Sequence, residues 1–188
     1  MKKAIAILLF CLSCTAMACA QKMEVSAGYI FLGSHTLGGT ALSFNGGRTD
    51  FAVYLPFHMA AVGEVAGATA NGASAPSVGT TLLTYMAGPR FVIPLKGSGN
   101  KPSSITPFAQ YLVGGARATN GSFPTPLGMM PYATSFATSA GGGLDVKLNR
   151  HLSLRVIQAD YLFTRLPNQM DSHQNHLRIG AAIVFRLR

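Results

Sequence analysis

Apolar residues recur at every second position along most of the chain. Between Ser135 and Leu148 one parity reads Ser135, Ala137, Ser139, Gly141, Gly143, Asp145 and Lys147, and the other reads Phe136, Thr138, Ala140, Gly142, Leu144, Val146 and Leu148. Successive side chains of a strand point to opposite faces, so this pattern predicts a strand with one small, polar face and one mostly apolar face. Near the C-terminus, Leu177, Ile179, Ala181, Ile183 and Phe185 share one face, and Arg178, Gly180, Ala182 and Val184 share the other. In Leu152–Thr164, Gln158, Asp160 and Thr164 take one parity, and Ile157, Ala159, Tyr161 and Phe163 take the opposite one. Arg155 falls on the apolar parity there. It either snorkels to an interface near the strand end or marks a bulge.

No helical periodicity holds after residue 21, and Gly or Pro interrupts most windows. Eight alternating segments are expected at about 22–33, 46–56, 58–68, 79–94, 104–119, 132–148, 152–166 and 175–187. A tilted membrane-spanning strand needs about 9–11 residues, which these lengths accommodate. Pro56-Phe57-His58, Lys96-Gly97-Ser98-Gly99-Asn100 and Asn149-Arg150-His151 read as tight turns, and 34–45, 69–78, 120–131 and 167–174 as longer loops. Short turns alternating with long loops are the pattern of an outer-membrane barrel. Asn45-Gly46-Gly47 could form a hairpin turn and create a ninth strand, but an even count suits a single-chain bacterial barrel better. The fold class expected is therefore all-β, an eight-stranded antiparallel transmembrane up-and-down β-barrel.

The first twenty residues read differently. Met1-Lys2-Lys3 is a charged start, residues 4–12 form an apolar run, and Ala18-Cys19-Ala20 is a small-x-small site with cleavage before Gln21. Residues 1–20 are thus expected to be a signal peptide and 21–188 the barrel domain. A retained helix would be short for a span. Thr15 to Cys19 also resembles a loose lipobox, with Ala16 where Leu is usual. All three cysteines, Cys11, Cys14 and Cys19, lie in this segment, so a chain cleaved after Ala20 has neither a disulfide framework nor a thiolate metal site.

Composition narrows the class further. The 188 residues are 48% hydrophobic and only 11% charged, which excludes disorder and is unusual for a soluble domain. The formal net charge is +9, or +7 once Lys2 and Lys3 are set aside. No run of four basic residues occurs, so the clustered cations that a nucleic-acid binder needs are missing and no nucleic-acid partner is expected. Of the six acids, Glu24, Asp50, Glu64, Asp145 and Asp160 fall on the polar parity, and Asp171 lies in a loop. A carboxylate facing lipid is costly, so these residues are expected inside. The candidate interior charge network is Arg48, Asp50, Glu64, Arg90, Asp145, Lys147, Asp160 and Arg178. Eight strands leave an interior just wide enough for side chains to fill, which predicts a plugged, polar core without an open channel. Tyr29, Phe31, Phe51, Tyr85, Phe91, Tyr111, Phe136, Tyr161, Phe163 and Phe185 are expected to face outward as interface aromatics.

On these features the chain resembles the eight-stranded outer-membrane barrel family typified by OmpA and OmpX. The barrel-assembly machinery that serves this family reads a terminal strand of polar-x-Gly-x-x-hydrophobic-x-aromatic pattern. Arg178, Gly180, Ile183 and Phe185 match it, with Arg186-Leu187-Arg188 following. The stretch Gly141 to Leu166 is likewise similar to small outer-membrane barrel proteins. The resemblance implies a monomer in the outer membrane of a Gram-negative-type bacterium. Its partners would be lipid or lipopolysaccharide and the assembly machinery, and it would have no cofactor.

Candidate chemistry is sparse. His151-Leu152-Ser153 resembles the His-x-Ser element of outer-membrane lipid A deacylases, and a hydrolase would need a carboxylate such as Asp145 or Asp160 to orient the histidine. Asp171, His173 and His176 could offer three metal ligands, though a polar loop explains them as well. Gly141-Gly142-Gly143 lacks the Gly-Lys-Ser/Thr of a phosphate loop. Glu64 and Asp160 read either as an acid pair or as members of a structural ion network. The function expected is structural or surface-interactive, through envelope integrity, adhesion or ligand contact by the loops. The alternatives are a lipid-modifying hydrolase, a small-solute pore and a soluble lipocalin-like binder; the last would need apolar faces inward and charges outward.

Overall fold

The computed structural model describes residues 22–34, 42–70, 80–95, 103–125, 128–166 and 174–187. The signal and cleavage positions Ala18, Ala20 and Gln21, the Lys96–Asn100 turn, and Asp171 and His173 lie outside them. Eight strands follow in chain order: β1 (Met23–Ser34), β2 (Leu42–Leu55), β3 (Met59–Ala70), β4 (Thr81–Val92), β5 (Ile105–Thr125), β6 (Gly128–Lys147), β7 (Leu152–Thr164) and β8 (Gln174–Leu187). Each pairs antiparallel with the next, and β8 returns to β1 to close the barrel. Closure satisfies every strand edge internally, a requirement for any sheet placed in hydrocarbon.

Two connection readings are corrected. Asn45-Gly46-Gly47 is no turn: it sits inside β2, opposite Phe31, Ile30 and Tyr29, so no ninth strand arises. Within the stretch 120–131, expected to be a loop, residues 120–125 and 128–131 instead prolong β5 and β6 as a paired arm. These strands run for 21 and 20 residues, whereas the other six have 12–14. Pairing of β5 with β4 stops at Thr119, so the arm projects past the barrel wall. The opposite end has tight turns. Phe57 and His58 take positive φ (64° and 59°) to reverse the chain after Pro56. At the β6–β7 turn, Asn149 Oδ1 accepts from the backbone N–H groups of His151 and Leu152 (2.9 and 2.8 Å), an Asx-type turn.

The alternation sorts side chains as period two requires. β3 has a continuous in/out pattern, with Ala60, Val62, Glu64, Ala66, Ala68 and Ala70 buried. The outward side carries Tyr29, Phe31, Phe51, Tyr85, Phe91, Tyr111, Phe136, Tyr161 and Phe185, all exposed, with Phe163 partly covered. All the described acids are inside and most aromatics are outside, which overturns the lipocalin-like alternative.

β7 breaks the rule once. Arg155 pairs with Asp145 of β6 while Ile157 pairs with Leu144, so one residue is extra. Val156 and Ile157 both face outward, and the inward parity switches from Ser153 and Arg155 to Gln158 and Asp160. This bulge turns Arg155 inward and corrects its placement on the apolar face.

The interior is plugged, but it is polar only in part. The half toward the turns is charged. The half toward the arm is apolar, built from residues such as Ile30, Leu32, Phe44, Leu82, Ala116 and Leu162.

Candidate functional site

The charged half of the interior is one connected cluster. Arg155 sits at its centre. Its guanidinium grips Asp145 with two nitrogens (Nε 2.8 Å, Nη2 3.2 Å), reaches Asp50 at 3.0 Å, and contacts Glu24 at 3.2 Å. Arg90 meets the same two acids from the other side, Asp50 at 3.1 Å and Glu24 at 3.3 Å, and donates to Gln110 Oε1. The ring of Phe108 stacks against both guanidinium carbons, 4.6 Å from Arg90 and 4.5 Å from Arg155. One aromatic ring thus contacts two cations.

A second group lies beside it. Arg178 and Arg48 both reach Asp160 Oδ2 at 3.0 Å, and Gln158 Nε2 donates to both oxygens of that carboxylate. Glu64 lies 2.7 Å from Arg178 and 3.6 Å from Arg48 as an ion pair without an aligned hydrogen bond. Gln158 Oε1 accepts from Arg48 and from Arg155, and so bridges the two groups. Every one of these charged groups is at most 4% exposed. Buried charges persist only when paired and hydrogen-bonded, and here each arginine meets two or three carboxylates.

Seven of the eight residues expected in the network are brought together: Arg48, Asp50, Glu64, Arg90, Asp145, Asp160 and Arg178. Lys147 is not. It lies at the end of β6, exposed, where the strand leaves the barrel wall. Arg155 takes the place expected of it. Glu24, Gln110, Gln158 and Phe108 complete the cluster. The inward parity of Gln158 was the available signal for that residue, whereas Phe108 breaks the rule that aromatics face outward.

Close packing makes room for the cluster. A Cβ on Gly141 would fall 2.4 Å from Asp160 Oδ1 and 2.3 Å from the Ala159 carbonyl oxygen, so only glycine fits beside that carboxylate.

The hydrolase candidates are not assembled. Ser153 is buried, and its hydroxyl has no hydrogen-bond partner, while His151 is exposed in the turn. The acids Asp145 and Asp160 are engaged by arginines. His176, a candidate metal ligand with Asp171 and His173, is buried in the apolar half, edge-on to Phe44 with ring centroids 6.4 Å apart. Among the described residues no three His, Cys, Asp or Glu side chains are placed to hold a metal. On β8, Arg178 points inward and Ile183 and Phe185 outward, with Gly180 against β1.

The backbone has solved counterparts. Ail, the attachment invasion locus protein of Yersinia pestis, solved in complex with the heparin analogue sucrose octasulfate, superposes with a TM-score of 0.57 at 15% identity, covering 89% of this chain and 99% of that one. The fold is that of the small outer-membrane barrels. Neisserial surface protein A gives a TM-score of 0.57 at 13% identity, over 88% of this chain and 96% of its own. No family model and no curated protein sequence matches the chain. What this outer-membrane-type barrel shares with those proteins is its architecture.

Proposed function

We propose that this chain is an integral outer-membrane barrel protein whose body is a structural plug in the lipid and whose arm end makes surface contacts. The observation that carries the reading is the sidedness of a closed barrel: a ring of exposed aromatic and aliphatic side chains surrounds a buried arginine–carboxylate core. In water such a surface would be an aggregation liability, whereas in a bilayer it is the required solvent-facing band. Under this reading the segment before β1 is a cleaved export signal. Lipid, including lipopolysaccharide, surrounds a monomer, and the assembly machinery reads the last strand.

The surface role rests on the β5–β6 arm. From Thr119 to Thr125 the strand extends beyond its last β4 partner, a reach of about 20 Å at roughly 3.3 Å per residue. A rigid scaffold that lifts a hairpin clear of the membrane suits contact with a surface or ligand. The similarity to Ail, an attachment invasion locus protein, favours the same class of role. A pore is the weaker reading, because the ion cluster fills the lumen at one level.

Outer-membrane fractions run on a denaturing gel test the proposal. A heat-modifiable band, compact before boiling and shifted after it, is expected. Recovery in the soluble periplasm without a heat shift overturns the membrane reading.

A further inference from the structure

The buried cluster is close to charge-balanced by itself. Four guanidiniums (Arg48, Arg90, Arg155, Arg178) face five carboxylates, and Arg186, partly exposed at the rim, lies 3.6 Å from Glu24 Oε2 as the fifth cation. The other cations at that rim therefore have no acid left to pair with among the described residues. At the end of the barrel that carries β1's start and β8's finish, a cavity of about 300 Å³ opens between Lys22, Lys147, Arg150 and Arg186. Backbone bonds fix its frame. Lys22 accepts from Tyr54 N (2.9 Å), Lys147 donates to the Ser104 carbonyl (2.7 Å), and Arg186 donates to the His151 carbonyl (2.8 Å).

Among the described residues no carboxylate lines this cavity. The nearest, Glu24, is buried and already holds the Tyr54 hydroxyl (2.7 Å), Arg90 and Arg155. Lys22, Lys147 and Arg150 are exposed and line the opening. A concave site lined by one sign of charge concentrates counter-ions. Guanidinium groups match tetrahedral oxyanions by paired hydrogen bonds, and lysine adds compact charge.

We propose that this mouth binds a phosphate group, carried by an anionic lipid headgroup or by a free phosphoester. Its volume stands at the lower end of ligand pockets, about 300–1,000 Å³, enough for a headgroup and too small for a polymer. Leu187 belongs both to the cavity wall and to the exposed apolar face that also carries Phe185. The opening thus lies where the apolar band ends, which is headgroup height if the barrel spans a membrane as proposed above. The phosphate chemistry does not depend on that insertion.

The test is calorimetric titration of the folded chain in non-ionic detergent with dihexanoyl-phosphatidylglycerol, inorganic phosphate and dihexanoyl-phosphatidylcholine. Saturable one-to-one binding of the phosphatidylglycerol is expected, with competition by phosphate. Lys147→Gln together with Arg150→Gln should weaken it about tenfold, two exposed charge contacts being removed. Arg117→Gln with Arg165→Gln, on the arm side, should leave it unchanged. Heat-modifiable migration checks that both variants remain folded. Tighter binding of the lipid than of phosphate identifies a headgroup site, and equal binding identifies a free phosphoester site. Absence of saturable binding by either overturns the proposal, as does equal binding of phosphatidylcholine or an equal loss in the arm-side variant. A barrel that stays out of membranes yet binds phosphate would defeat the proposed function and leave this site standing.

Discussion

Arg155→Met removes the central charge of the cluster and keeps an unbranched stem of similar reach. Asp145 loses both of its contacts, at 2.8 and 3.2 Å, and retains no other cationic partner among the described residues. Asp50 and Glu24 each lose one contact but keep Arg90, at 3.1 and 3.3 Å. Breaking a buried ion pair from one side costs about 3–5 kcal/mol, because the remaining charge is stranded. Retained coverage of two of the three acids places the expected loss near 3 kcal/mol, at the lower bound of that range. With a urea slope of about 2 kcal/mol per molar, the unfolding midpoint should fall by roughly 1.5 M. The chain contains no tryptophan, so unfolding from lipid vesicles is followed by far-ultraviolet circular dichroism and by unboiled gel migration. Adding Asp145→Asn should restore about half of the loss, since it removes the stranded carboxylate rather than a further bond. A midpoint shift below about 0.3 M for Arg155→Met, well under the expected effect, would refute the central role given to this residue. So would a double variant less stable than the single one.

Three other substitutions separate the faces of the barrel. Val113→Arg places a charge at mid-strand on the outward face, where Val113 is 43% exposed; in bilayers it should cost about 2–4 kcal/mol, and a urea midpoint unchanged from the parent chain would argue against lipid contact there. Lys147→Met should change stability by less than about 0.5 kcal/mol, as for other exposed positions, and a loss comparable to that of Arg155→Met would return Lys147 to the network. Ser153→Ala removes a buried hydroxyl that has no partner. Stability should be unchanged or slightly raised, and any fatty-acid release from lipid should be unaffected; loss of such release would revive the hydrolase reading.

What the sequence made legible was whatever depends on period two. Parity alone separates Tyr161 from Asp160 and Ile179 from Arg178, because one face meets lipid-compatible surroundings and the other a crowded interior. Parity carries no information where the strand slips or ends. Lys147 keeps the correct parity in β6 but stands one step beyond the cluster, where the wall stops. Asn45-Gly46-Gly47 has hairpin chemistry, yet cross-strand pairing with β1 and β3 overrides it, since closure demands a long β2. The β5–β6 arm has the composition of a loop, because Gly, Asn and Pro within 120–131 lower strand propensity. The apolar half of the interior was missed for a different reason. Charges draw attention to themselves on the inward parity, whereas inward alanines such as Ala66, Ala68 and Ala116 are indistinguishable in sequence from outward ones.

The irregularity in β7 and the glycine triplet opposite it act on the same problem. Without the bulge, Arg155 would stay on the parity of Tyr161 and face outward, at a cost of up to about 2–4 kcal/mol in lipid depending on depth. The interior would then hold three guanidiniums against five carboxylates, with Asp145 unpaired. Inserting one residue brings Arg155 inside while keeping Asp160 there, but it displaces β7 against β6. A Cβ on Gly143 would meet the Ile157 carbonyl oxygen at 2.6 Å and the Phe108 ring at 2.8 Å, and one on Gly142 would meet the Phe108 carbonyl at 2.5 Å. Gly143 pairs with Gln158 and Gly141 with Asp160, so the triplet lies directly across from the inward residues that follow the bulge. The glycines thus read as the space that the bulge requires. Gly143→Val should therefore disturb the arginine cluster through the Phe108 ring and the Ile157 carbonyl. Its loss of stability should fall sharply in an Arg155→Met background, since both changes act on one arrangement and should not add. Full additivity of the two urea midpoint shifts would separate the glycines from the bulge.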